Sequence, residues 1–304
     1  MSLRPALLAL FAAALLNMPA ETGSQTPAPF SMKVDINEVE LTLHAEDSTG
    51  APIKDLRVEE LRVLDNGAPP RRILAFRAMR DLPIRAAILV DTSTSMAPSL
   101  DAIHAIANTY AQRVLERTTD RALVMSFNKR LQMRQAWSND PSALTRAIEQ
   151  AGTYPSTTAV YDAIYAVCHD QFSHLPKDAT GNFIMLFSDG EDDASFLSMQ
   201  AAVDMCQQAN TAIYAFRPDS AFAGLRNLSQ LATQTGGRVF RTGALEAEIK
   251  EDLEMIQSNL RNQYWLIYNP PQLKRDGSFH QITILPSDRV ATISTRSGYY
   301  APTR

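Results

Sequence analysis

The chain has 304 residues, 45% of them hydrophobic and 20% charged, with a formal net charge of −4. This is an ordinary globular composition, with ample length to bury a core in one large or two modest domains. A mildly acidic chain without a basic cluster argues against nucleic acid as the main partner, and the absence of G-x-G-x-x-G and Walker sequences leaves nucleotide binding without support.

In chain order, residues 1–20 place Arg4 ahead of the uncharged apolar run Ala6–Leu16. That is the layout of a secretory signal peptide, too short for a comfortable membrane span. The expected location is therefore secreted, periplasmic or cell-envelope, with membrane contact only if the apolar segment stays uncleaved. A polar linker, 21–31, follows. Residues 32–82 read as a β segment: Val34, Ile36, Val39, Leu41 and Leu43 suggest an extended strand with a register break near Asn37-Glu38. The runs Leu61–Asp65 and Arg72–Phe76 flank Asn66-Gly67, a strong turn signal that predicts a hairpin.

From Pro83 the pattern alternates between strands and helices. Strand Ile84–Asp91 leads into a helix over about Pro98–Glu116. Arg121–Phe127 and Arg130–Trp137, joined by the short Asn128-Lys129 turn, predict an antiparallel pair. Pro141–Gln150 is helical, with Asp140 as N-cap and Pro141 in the first turn. A Ser/Thr-rich loop precedes helix Ala159–Phe172. Strand Asn182–Ser188 runs into the acidic loop Asp189–Asp193. Helix Phe196–Asn210, strand Thr211–Phe216, helix Leu225–Thr235, short strand Val239–Arg241 and helix Leu245–Arg261 complete the series. Such alternation predicts an α/β fold, a doubly wound and mostly parallel sheet, over 83–262. Residues 263–304 return to β texture. The economical organisation is a small β-sandwich-like domain made from both chain ends with the α/β domain inserted in it. Cys168 and Cys206 lack zinc-site spacing and fall in separate helices, which seldom bring two Cα atoms close enough to bridge, so two buried thiols are expected.

Three pieces of this chain can meet at the carboxyl edge of the predicted sheet, where open α/β folds bind their ligands. They are Asp91-Thr92-Ser93-Thr94-Ser95, Ser156-Thr157-Thr158 and Asp189. All offer oxygen donors, which suit a hard divalent cation better than zinc or copper. The first piece matches D-x-S-x-S. The second continues as Ala159-Val160-Tyr161-Asp162-Ala163-Ile164, similar to G-G-T-A-L-x-D-A-I, and the third is Ile184–Gly190. In these motifs the chain resembles the von Willebrand factor A domain with its metal-ion-dependent adhesion site. The flanking Asn-Gly and Asp-Gly turns and the closing Arg296–Tyr300 resemble the exported VWFA-related proteins of acidobacteria.

The resemblance implies the strand order 3-2-1-4-5-6 with one antiparallel edge strand. It also implies a metal set of Asp91, Ser93, Ser95, Thr158 and Asp189, with Thr157 and Asp162 as supporting positions. In the family the hydroxyls ligate while the aspartates act largely through water. The ion, Mg²⁺ with Mn²⁺ or Ca²⁺ as alternatives, then stays electrophilic enough to take an Asp or Glu from a protein partner. That is recognition chemistry, and the expectation is a binding module, not an enzyme: G-x-S-x-G is absent, and His44, His104, His169, His174 and His280 are scattered without metal spacing. The other reading is a structural or assembly component of an envelope or secreted complex, in which the metal only stabilises the fold. Glu191, Asp192 and Asp193 read as a solvated acidic loop.

Overall fold

Strands β1 (Val39–Glu46), β2 (Leu61–Asp65) and β3 (Arg72–Met79) precede the alternating run. That run is β4 (Ile84–Asp91), α1 (Leu100–Val114), β5 (Arg121–Phe127), β6 (Leu131–Ser138), α2 (Pro141–Glu149), α3 (Val160–Val167), β7 (Gly181–Phe187), α4 (Met199–Gln208), β8 (Thr211–Arg217), α5 (Leu225–Thr235), β9 (Val239–Arg241) and α6 (Glu246–Arg261). The chain closes with β10 (Gln263–Asn269), β11 (Phe279–Pro286), β12 (Thr292–Thr295) and β13 (Gly298–Tyr300). The structure is a computed structural model that describes residues 38–303 apart from 115–116, 176–179, 220–223, 244–245 and 273. The expected signal peptide, linker and strand start at Met32–Ile36 lie outside the described residues.

The central sheet has the order β6-β5-β4-β7-β8-β9, with β6 antiparallel to β5 and every other pair parallel. Counted from Ile84, this is the expected 3-2-1-4-5-6. The alternation of side chains along β4 explains its unbroken apolar run. Ala86, Ile88 and Val90 join Ile103, Ile106, Leu144, Ile148, Leu253 and Ile256 in one core, under α1, α2 and α6. Ala87 and Leu89 face the other way, into a second core with Val160, Ile164, Val203, Leu228 and Leu231 from α3, α4 and α5. Both faces are covered, so from Ala86 onward β4 has no polar position until Asp91.

Both ends of the chain supply two antiparallel sheets, β12-β1-β10-β3 and β13-β11-β2. They share a third core that includes Leu41, Leu43, Val63, Leu266, Tyr268 and Ile282. Asp65 ties the two sheets together. Its Oδ2 accepts from the hydroxyls of Tyr268 (3.0 Å) and Tyr299 (2.7 Å), and its Oδ1 accepts from His280 Nδ1 at 2.7 Å. This β unit is fastened to the α/β sheet by polar contacts, one buried and the others partly or fully exposed. Glu46 accepts from Arg238 Nη2 (2.6 Å) and Asn259 Nδ2 (2.7 Å), and Arg296 donates to the carbonyls of Glu40 and Gln207. Arg261 pairs with the fully buried Asp120, whose Oδ1 also accepts the N–H of Ile84 at 2.9 Å.

Two expectations are overturned. The hairpin across Asn66-Gly67 does not form: β2 pairs with β11 and β3 with β10, in different sheets. The turn itself is present, with positive φ at Asn66 (49°) and Gly67 (78°) and one bridge, Asp65 to Ala68. Pro69 and Pro70 follow immediately. Neither can donate a ladder hydrogen bond, so pairing stops there and the chain crosses to the other sheet. The cysteines are also not free thiols. Cys168 and Cys206 form a disulfide with Cα atoms 5.0 Å apart. Cys168 sits just past α3 and Cys206 within α4, and these helices lie side by side on one face of the sheet, where their spacing is not random.

Candidate metal centre

The polar turn after β4 begins where the two cores end. Asp91 is 0% exposed, and its Oδ1 accepts the N–H of Ser93 at 2.9 Å. The Ser93 hydroxyl also bonds this carboxylate and lies 3.2 Å from the Ser95 hydroxyl. Thr94–Ser99 continues as a 3₁₀ turn, so α1 starts at Leu100, two residues later than the sequence pattern suggests. That turn leaves Ser95 exposed while Met96 is buried beneath it.

The second piece is brought alongside by backbone contacts. Tyr154 donates its N–H to the Thr92 carbonyl (2.9 Å), and Ala159 donates to the Asn128 carbonyl (3.0 Å). Thr158 is 7% exposed and its hydroxyl has no protein partner among the described residues. Thr157 is exposed, and Thr158 together with Ser93, Thr94, Ser95 and Ser156 lines an open cleft of about 530 Å³. Asp91 and Asp189 do not line this cleft; both are buried.

The third piece follows β7. Ser188 donates its hydroxyl to Asp91 Oδ2 (2.8 Å) and accepts the N–H of Gly190 (3.0 Å). It therefore bolts the end of β7 to the end of β4. Asp189, 6% exposed, accepts the N–H of Glu191 at 3.0 Å. Gly190 has φ +80°, and a Cβ there would lie 2.5 Å from the Gly224 carbonyl oxygen, so only glycine lets the loop pass this closely.

Electrostatically the site is under-compensated. Burial pushes the Asp91 carboxyl up to about 6, against the opposing hydrogen bonds from Ser93 and Ser188, and the nearby Asp189 charge pushes the same way. Among the described residues neither Asp91 nor Asp189 is paired with a lysine or arginine. Two buried carboxylates without a countercharge, beside a Thr158 hydroxyl that lacks a protein partner among the described residues, fit an oxygen-ligated divalent cation.

The von Willebrand factor type A domain model matches residues 87–257, more than half of the chain. The chain belongs to the von Willebrand factor type A domain family. No curated protein sequence matches it. Among solved structures, it is similar to a conserved hypothetical protein, BatB, of Bacteroides thetaiotaomicron, at 14% identity over 57% of this chain and 97% of that one, TM-score 0.47. It is similar to the type V pilus tip protein Mfa5 of Porphyromonas gingivalis, at 12% identity over 58% and 95%, TM-score 0.47. It is also similar to proximal thread matrix protein 1 of the mussel byssus with a zinc-occupied adhesion motif, at 14% identity over 59% of this chain and 49% of that one, TM-score 0.47.

Within this VWA domain the acidic loop is more than a solvated stretch. Asp193 Oδ1 accepts the Thr158 N–H (2.6 Å), and the N–H groups of Asp193 and Ala194 both donate to the Thr158 carbonyl (3.1 and 3.0 Å). Asp192 Oδ1 accepts the N–H of Val160 at 2.7 Å, satisfying a free donor at the start of α3. In return Asp162 accepts the N–H groups of Phe196 (3.0 Å) and Leu197 (2.9 Å). Asp162 is thus placed as a loop anchor, and it keeps Phe196 and Leu197 out of α4, which begins at Met199 behind the Ser198 cap. Ser188, Asp192 and Asp193 go unrecognised as site-building residues by motif. The available signal was a hydroxyl and a carboxylate pair flanking Asp189-Gly190, the third motif element.

Proposed function

We propose that the VWA domain holds a divalent cation, Mg²⁺ foremost with Mn²⁺ and Ca²⁺ as alternatives, through Asp91, Ser93, Ser95, Thr158 and Asp189. Through that ion the domain captures an acidic group of a protein partner. The single observation carrying this reading is the buried pair Asp91 and Asp189, uncompensated by any lysine or arginine among the described residues, beside the unpartnered Thr158 hydroxyl. The cation, when bound, supplies positive charge and an open coordination position for a carboxylate. The chain's own residues hold the geometry: Ser188 fixes Asp91, and Asp193 fixes the segment that presents Thr158.

The reading needs no nucleophile and no proton transfer, which is why we propose a binding module in preference to an enzyme. The disulfide between Cys168 and Cys206 supports an oxidising location, secreted or in the cell envelope. The flanking β unit, with its Asn66-Gly67 turn and closing Arg296–Tyr300, supports placing the chain with the exported VWFA-related group.

Titration calorimetry with Mg²⁺ on wild type and Asp91→Ala, followed by affinity capture from surface extracts with and without EDTA, tests the proposal. Saturable Mg²⁺ binding by wild type alone, with capture lost in EDTA and in Asp91→Ala, is expected. Capture that survives both while the protein stays folded would favour the structural alternative, in which the β unit makes the contacts.

A further inference from the structure

Phe196 is 95% exposed and Tyr154 is 53% exposed, and neither is on a loose segment. Phe196 has its N–H held by Asp162 Oδ2 at 3.0 Å, and it lies two residues beyond Ala194, whose N–H bonds the Thr158 carbonyl. Two residues span at most about 7 Å of extended chain, so the Phe196 backbone nitrogen lies within roughly 10 Å of the Thr158 carbonyl. Tyr154 is held beside the first motif, its N–H bonded to the carbonyl of Thr92, between Asp91 and Ser93. Leu197, 38% exposed and held by the other Asp162 oxygen, extends the apolar surface beside Phe196.

Singly exposed apolar residues are ordinary on a protein surface, whereas neighbouring ones such as Phe196 and Leu197 form the kind of patch that marks an interaction site. A backbone tied at both loops has already lost the freedom that binding would otherwise remove, and pre-ordered aromatics are the residues that carry binding energy at interfaces. Here the aromatic residues are tethered to Thr92 and Asp162, next to or shortly after the proposed ligands Asp91, Ser93 and Thr158 in the chain, so one partner segment can reach both. From this geometry we propose that Phe196 and Tyr154 flank the cation as apolar anchors, and that the partner presents its Asp or Glu with apolar side chains on either side of it. This rests on the metal-bridged reading and narrows its partner. Glu191, exposed at the cleft, selects in the same direction by repelling a segment with several acids in a row.

The test uses the full chain and synthetic peptides carrying one central Glu, flanked on both sides by Leu and Phe or by Ser and Gly. Binding is measured in Mg²⁺ and in EDTA for wild type and for the double substitution Phe196→Ser with Tyr154→Ser. Wild type is expected to bind the apolar-flanked peptides about tenfold more tightly, only in Mg²⁺. In the double variant that preference disappears while its affinity for Mg²⁺ alone, read by calorimetry, is unchanged. Equal binding of both peptide types, or a preference that persists in the double variant, overturns the inference and leaves acid capture standing. Mg²⁺ binding without Mg²⁺-dependent binding of any peptide overturns it together with acid capture, and absence of Mg²⁺ binding overturns the cation site itself.

Discussion

Asp65 in the β unit and Asp91 at the sheet edge are equally buried, both at 0% exposure, and their surroundings treat them oppositely. Asp65 gives its oxygens to three side chains from three different strands, Tyr268, Tyr299 and His280, and the stacked ring of Tyr299 closes over His280. Burial, reinforced by the Asp65 charge, pushes both phenols up, so they stay neutral donors. Asp91 is served by its own turn and by Ser188, and its charged neighbour is a second carboxylate. The first arrangement is complete without a ligand. On the proposed reading, the second is completed by positive charge from outside. Burial alone therefore does not separate a structural carboxylate from a ligating one; the size, origin and sign of its neighbours do.

The most severe way to break this contrast is Asp65→Ala. It strands two phenolic hydroxyls and an imidazole N–H in the interior and should remove about 3–5 kcal/mol of unfolding free energy, measured by urea denaturation. A loss below about 1 kcal/mol would show that Asp65 is not what joins the two sheets. Asp91→Asn should behave differently. In EDTA its stability should stay within about 1 kcal/mol of wild type, because the substitution relieves the repulsion with Asp189. Mg²⁺ at a hundredfold over its dissociation constant should add about 2.7 kcal/mol to wild type and nothing to the variant.

The smallest effect concerns a third buried carboxylate, Glu46, and its neighbour His44. Burial, opposed by the Glu46 charge and aided by Arg238, lowers the His44 imidazole to about 4. A depressed folded-state value means His44 is neutral in the native protein. Its contribution is fully present above the unfolded value near 6.5 and is lost as pH falls through the window down to about 4. Replacing it in His44→Gln should flatten the pH dependence of unfolding there, by at most about 1.4 kcal/mol per pH unit. Parallel wild-type and variant curves between those values would mean that His44 does not titrate with folding.

What could be read from the residues follows the range of the forces involved. The strand Ile84–Asp91 and its hydroxyl turn are legible because an apolar run and a polar cluster are local facts, and both faces of β4 are covered as the run implies. The antiparallel Arg121–Phe127 strand pair and the Asp140 cap on α2, which accepts the Ser142 N–H at 2.9 Å, are legible for the same reason. The hairpin reading failed because a turn signal says nothing about partners 200 residues away, and β2 finds its partner in β11. The disulfide was missed because the separation of Cys168 and Cys206 depends on how α3 and α4 share one sheet face. Ser188, Asp192 and Asp193 were missed because their roles are hydrogen bonds to other loops.

The attachment of the β unit has a mechanical consequence. Ile84 opens β4 beside Arg261 and Asp120, where the chain enters and leaves the α/β sheet, while Asp91 stands at the opposite end of the same strand. If a partner is held near Asp91 as proposed, a pull on it runs lengthwise down β4, roughly 26 Å of extended chain, into the β unit. Parallel ladders to β5 and β7 flank β4 along that whole length. Tension would load those hydrogen bonds together in shear, not one at a time as in peeling, so the strand that carries the site is also the tether best suited to hold under force.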